Sequence, residues 1–118
     1  MKAYTDLKQS KKLAEILPIE SADETWIRVA FAEDNLDVPE EMEYKHSDIP
    51  FKYYSGIGIP CWSLVALINI INNDYYTNIF HDGAAWNINI IHHDTGNKHT
   101  TYGNSLIDIC YKIILKLY

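Results

Sequence analysis

Five histidines and two cysteines are the residues of this 118-residue chain whose chemistry could reach beyond packing. His92, Asp94 and His99 gather around a turn signal at Asp94-Thr95-Gly96-Asn97. If Gly96-Asn97 forms a two-residue loop, Asp94 faces His99, and His92 lies on the same side two residues away. Three nitrogen and oxygen donors on one sheet face would suit Zn²⁺, a tetrahedral ion that accepts imidazole and carboxylate ligands. A three-residue loop would separate them, and open hairpin ends often carry polar residues without a task. The sequence therefore leads to no metal and no other cofactor. His81, which abuts an earlier turn, and His93, which should face the opposite side, are weaker candidates.

Cys61 stands just ahead of an apolar helical pattern, where the positive end of a helix dipole can favour a thiolate. His81 or His92 downstream would supply the base of a papain-like Cys-His order. The intervening stretch is short and no oxyanion-hole loop is evident. Cysteine in an apolar segment is ordinarily a packing residue. Cys61 and Cys110 are thus expected to be two buried thiols in a reducing compartment. Gly-rich phosphate loops, the nucleophile elbow and the dinucleotide fingerprint are all missing from the sequence. Whether the protein is an enzyme stays open on this reading, a non-catalytic role being favoured and a small Cys- or metal-dependent hydrolase the alternative.

Charge points elsewhere. The formal net charge of −6 is concentrated in residues 18–48, which hold ten carboxylates against Arg28 and Lys45. Glu33, Asp34, Asp37, Glu40, Glu41 and Glu43 follow one another with no cation between them. Phosphate and anionic lipid would be repelled by this stretch, so neither nucleic acid nor a membrane is an expected partner. The segment reads as a solvated loop or, with Tyr44, Tyr53 and Tyr54 beside it, as a docking patch for another protein. Aromatic side chains suit such a surface because they bury large area at low entropic cost. An EF-hand calcium loop is not supported, since the alternating carboxylates and central glycine are absent.

The elements that must position these residues follow from periodicity. Thr5 can cap a helix to about Leu17, with Leu7, Ser10, Leu13, Ala14 and Leu17 on one face and Pro18 as its stop. From Thr25 the period becomes two: Thr25, Ile27, Val29 and Phe31 point one way, Trp26, Arg28 and Ala30 the other. Residues 33–60 keep no sustained period and read as a long connection with a short extended piece at Phe51–Tyr54. A second helix starts near Trp62 or Ser63, with Leu64, Leu67, Ile68 and Ile71 as its stripe. Val65 and Ile70 widen that stripe, so this helix is expected to be the most buried.

Tyr75–Phe80 and Ala84–Ile91 flank Asp82-Gly83, the pair suited to a type I′ hairpin. A two-residue loop sets Ile79 opposite Trp86, Thr77 opposite Ile88 and Tyr75 opposite Ile90. Tyr76, Asn78, Phe80, Asn87 and Asn89 then form a wetter second face. Lys98–Tyr102 returns as a third strand. Leu106, Ile109, Cys110, Ile113, Ile114 and Leu117 pattern a last helix, capped by Asn104 or Ser105, with an Asp108–Lys112 pair outside. The sum is one α+β domain over residues 1–118, a small antiparallel sheet covered on one face by about three helices.

The runs Tyr4-Thr5-Asp6, Gln9–Pro18 and Glu20–Asp23 at the start resemble a family of small uncharacterised proteins of gut Bacteroides and relatives, often associated with prophage or mobile elements. Ile59–Leu64 and Ser105–Asp108 extend the likeness. What the resemblance implies is an intracellular bacterial protein in an accessory role; it implies no activity, cofactor or catalytic residue. No apolar run reaches the roughly 18 residues a membrane helix needs, and the amino terminus lacks a signal-peptide core. The expectation is a cytoplasmic, non-catalytic accessory protein that binds another protein. A homodimer formed through an unpaired strand edge is the remaining alternative.

Overall fold

The computed structural model describes residues 2–29, 43–54 and 57–118. The fold class is α+β: three α-helices and two three-stranded antiparallel sheets. The chain falls into two compact units, one of Asp6–Trp62 and one of the residues up to Thr5 together with Ser63–Tyr118.

The first unit opens with α1 (Leu7–Ala14), whose cap is Asp6 rather than Thr5. The Asp6 carboxylate accepts from the Gln9 amide at 2.8 Å, and the Gln9 side chain accepts from the Asp6 amide at 3.1 Å. This reciprocal box satisfies two amides that a helix start otherwise leaves open. The helix stops at Ala14, short of the expected Leu17, as the Glu15 and Ile16 amides switch to carbonyls three residues back. Leu17 is still buried with Leu7 and Leu13. Pro18 then leads a 3-10 turn, Ile19–Ser21.

Strand β1 (Glu24–Arg28) is central in the order β2-β1-β3, with β2 being Tyr44–Ser47 and β3 Ile59–Cys61. Both flanking strands come from the stretch that shows no period in the sequence. Four and three residues are too few for alternation to register, and β3 contains Pro60, tolerated because the strand is an edge. Phe51–Tyr54 is not extended but a 3-10 turn that Pro50 starts, the Tyr53 amide donating to the Pro50 carbonyl. Side chains stitch this unit together. Fully buried Thr25 donates to the Ile49 carbonyl at 2.8 Å, Ser47 and Tyr54 share a hydroxyl bond of 2.7 Å, and the Trp62 indole donates to Ser21 Oγ at 2.9 Å.

The second unit is a meander with two helices. Helix α2 (Leu64–Asn72) is capped by Ser63, whose hydroxyl accepts from the Ala66 amide. Strands β4 (Tyr75–His81), β5 (Trp86–His92) and β6 (Lys98–Gly103) pair in chain order. Helix α3 (Leu106–Leu117), capped by Ser105, packs on β6 and on α2, and α2 packs on β4. Ile88 and Ile90 are fully buried at the centre of the covered face. The most buried helix is α3, which hides six apolar residues, and not α2, where Val65 is 65% exposed. Asp108 bonds Lys2 at 2.9 Å in place of Lys112.

The hairpin register differs from the expected one by two residues: Ile79 faces Ile88, Thr77 faces Ile90 and Tyr75 faces His92. The loop is Asp82–Ala85, four residues long, because the Asp82 carboxylate accepts from both the Ala84 and Ala85 amides at 2.8 Å. Those bonds favour the ionised form and hold the Asp82 carboxyl down at about 2. A slip of two keeps every side chain on its expected face, since the strand period is two.

Candidate interaction surface

The histidines at the β5–β6 end turn inward to the fold. His92 Nδ1 accepts from the Asp94 and Thr95 amides, each at 3.2 Å, so it closes the turn and has no lone pair left there for an ion. Its ring meets Tyr75 edge-on at 5.0 Å, and His99 stands 6.4 Å from Tyr75 on the same face. The residue opposite His99 is Ile90, not Asp94, which sits exposed in the turn. The displacement arises because the loop closes between His92 and Asn97, the His92 amide donating to the Asn97 carbonyl at 2.9 Å. Among the described residues no three His, Cys, Asp or Glu side chains form a set that could hold a metal ion.

Cys61 is in β3 rather than at a helix start, and it is fully buried. A thiol that substrate cannot reach has no route to nucleophilic attack in this conformation. His81 ends β4, where Nδ1 accepts from the Gly83 amide at 3.1 Å and the ring abuts Trp86 at 5.0 Å. Both side chains are part of the scaffold. Cys110 is also buried, and burial pushes its thiol up to about 12.

Of the acidic run, Glu33, Asp34, Asp37, Glu40 and Glu41 lie outside the described residues. The Glu43 carboxylate is 3.6 Å from Arg28, and its carbonyl accepts from the Val29 amide. Tyr44 is half-buried in β2 and the Tyr54 hydroxyl is engaged by Ser47. Tyr53 is exposed, with the Lys52 ammonium 5.1 Å above its ring. Nearby, Glu24 and His46 bond across β1 and β2 at 2.7 Å, and burial raises the Glu24 pKa while the His46 bond partly offsets it.

A surface that the sequence reading passed over is the outer face of the β4-β5-β6 sheet. The register lays it out as three rows: Tyr76, Ile91 and Lys98; Asn78, Asn89 and Thr100; Phe80, Asn87 and Tyr102. Tyr76 is 66% exposed, Phe80 42%, Ile91 37% and Tyr102 71%. A shallow hollow of about 420 Å³ is lined by the Tyr76, Ile91 and Lys98 row and the polar middle row. The Asn78, Asn89 and Thr100 side chains make no hydrogen bond among the described residues, whereas Asn87 is tied to Asp82 at 3.0 Å. Part of the signal was present in the alternation, since Tyr76 and Phe80 fall on the wetter face of the expected hairpin, while Ile91 and Tyr102 join them through the observed register. Compared with models of known protein families, with curated proteins and with solved structures, the chain matches none.

Proposed function

We propose that the protein is a non-catalytic accessory protein that binds another protein through the outer face of the β4-β5-β6 sheet. The observation that supports this reading is the pairing, on one face, of four large exposed side chains with a row of amide and hydroxyl groups that have no hydrogen-bond partner among the described residues. A solvated sheet face ordinarily alternates to polar residues. Large contiguous apolar exposure marks contact surfaces, where tyrosine supplies both area and a polar tip. The unspent amides would then give the contact its direction. A cytoplasmic setting is part of the proposal, supported by two buried cysteines that are not joined in a disulfide. Among the described residues, no helix is long and apolar enough to cross a membrane.

The test is affinity capture from a bacterial lysate with the wild type beside a Tyr76→Ser/Tyr102→Ser variant of matched thermal midpoint. Proteins retained by the wild type and lost by the variant support the reading. Identical capture by both, or no enrichment by either, overturns it. A second arm reverses charge at Glu40, Glu41 and Glu43. Unchanged capture there places the contact on the sheet, and lost capture moves it to the acidic segment.

A further inference from the structure

Charge in the second unit is segregated in a way that its fold does not require. The unit holds four lysines and four aspartates. Lys2 pairs with Asp108, Asp82 is held by its turn amides, Asp74 accepts from the Tyr118 hydroxyl at 2.9 Å, and Asp94 lies in the β5–β6 turn. Lys98, Lys112 and Lys116 have no carboxylate partner among the described residues. All three line one hollow of about 420 Å³ between β6 and α3, together with His99, Thr101 and Ile113. Complementing the helix dipole accounts for Lys116 in the last turn of α3, but not for Lys112 a turn earlier or for Lys98 on the strand.

Among the described residues, the strand bordering this hollow has no strand neighbour on its outer side. Because the His92 amide donates to the Asn97 carbonyl, the ladder phase assigns His99 and Thr101 to β5. Lys98, Thr100 and Tyr102 therefore turn their amides and carbonyls away from β5, at the end of the sheet. A lysine on an edge strand repels basic strands and opposes apolar ones, so the strand it admits is an acidic one.

We infer that the β6 edge receives an extended acidic segment of a protein partner as an added strand, with the carboxylates of its α3-side face seated on Lys112 and Lys116. This rests on the reading that the chain binds protein. Lys112 and Lys116 are separated by a helical rise of about 6 Å. Side chains on one face of a strand recur every ~6.8 Å, so carboxylates at alternate positions match the two lysines. The partner motif is thus acid-x-acid, with β-branched residues between, and not a contiguous acidic block.

Fluorescence anisotropy with a labelled Glu-Val-Glu-Val-Glu-Val peptide tests this on the full chain, beside a Glu-Glu-Glu-Val-Val-Val peptide and inorganic phosphate as competitor. Expected are saturable binding of the alternating peptide and affinity that falls with salt. A loss of about tenfold or more in Lys112→Glu/Lys116→Glu is also expected. Amide chemical-shift changes should fall at Lys98, Thr100 and Tyr102. Should the double reversal not fold, Lys112→Gln/Lys116→Gln serves with the same shift map. Equal binding of the blocked peptide, displacement by millimolar phosphate, or shifts confined to α3 would overturn the inference. Failure here alongside lysate capture that still depends on Tyr76 and Tyr102 removes the acidic strand and leaves the protein-binding proposal standing. Failure of both removes the proposal as well.

Discussion

The two sheets of this chain have the same strand number and opposite economies of side chains. The β2-β1-β3 sheet is built from strands of four, five and three residues, brought together from distant parts of the sequence. Its polar side chains look inward: Thr25 to Ile49, Ser47 to Tyr54, His46 to Glu24. The β4-β5-β6 sheet has strands of seven, seven and six residues joined by short turns, and its register is set by those turns and by two helices on one face. Local hairpins close loops at small entropic cost, so the pairing does not need side-chain stitching. Its second face is left uncommitted, and that is where a surface for a partner can exist.

The contrast is sharpest in the cores. Ile88→Ala, under the helices of the second unit, should cost about 2–5 kcal/mol, the range for truncating a fully buried aliphatic side chain. Thr25→Val keeps the shape at the centre of the other sheet and removes only the hydroxyl that donates to Ile49, for a cost of about 1 kcal/mol or somewhat more. Urea denaturation of the two variants measures both. If Thr25→Val proved the costlier, side-chain stitching would be the dominant support of its unit and not an accessory to burial.

Locality also explains what could be read in the sequence. Both helices of the second unit, the hairpin signal at Asp82-Gly83 and the third strand follow from period and turn chemistry within a few residues. The error of two in the hairpin register was harmless, because Ile88 and Ile90 stay on the covered face in either pairing. The next turn decides more: Asp94 would face His99 only across a two-residue Gly96-Asn97 loop, and in the observed register Ile90 faces His99. In the first unit, β2 and β3 exist only because β1 lies between them, and Tyr44–Ser47 and Ile59–Cys61 are too short to announce themselves. The candidate surface was half legible: Tyr76, Asn78, Phe80, Asn87 and Asn89 were assigned to the correct face, but the places of Ile91 and Tyr102 and the exposure of that face depend on the pairing of all three strands.

Two glycines carry the comparison into the backbone. Gly58 and Gly83 have similar positive φ values, 98° and 95°. A Cβ at Gly58 would come within 2.6 Å of the Trp26 carbonyl oxygen, while one at Gly83 meets nothing within 4 Å. Gly83→Ala should cost about 1–2 kcal/mol from conformation alone. Gly58→Ala adds a clash with the backbone of β1 and should exceed it, by about 1 kcal/mol or more. Equal thermal shifts for the pair would show that β1 and the Gly58 segment separate easily.

A smaller effect distinguishes the stitched sheet by pH. Burial raises the Glu24 pKa above its ordinary 4.5, so the folded state holds the proton more tightly than the unfolded chain. The resulting stabilisation is complete below 4.5 and is lost as pH climbs from there through the raised value. Glu24→Gln has no such proton to release. The stability difference, wild type minus variant, should therefore be largest in acid and shrink as pH rises past 4.5. Thermal midpoints taken from pH 4 to 7 follow it. A difference that grows with pH would mean that the His46 bond outweighs burial at this carboxyl.

The smallest effect belongs to the uncovered face. Tyr76→Ser and Tyr102→Ser remove rings that are mostly in solvent, so each should change stability by no more than about 0.5 kcal/mol. Tyr76 should be the costlier of the two, because its ring lies 4.4 Å from that of His93 while Tyr102 is more exposed. Strand preference for aromatic residues contributes in the same direction at both positions. Chemical denaturation with an unchanged slope is the readout, since a changed slope would signal altered compactness. A loss of 2 kcal/mol or more at Tyr102 would mean that these aromatics hold the sheet together. The face would then be scaffold, like the side chains of the other sheet, and the reason for assigning it to a partner would be gone.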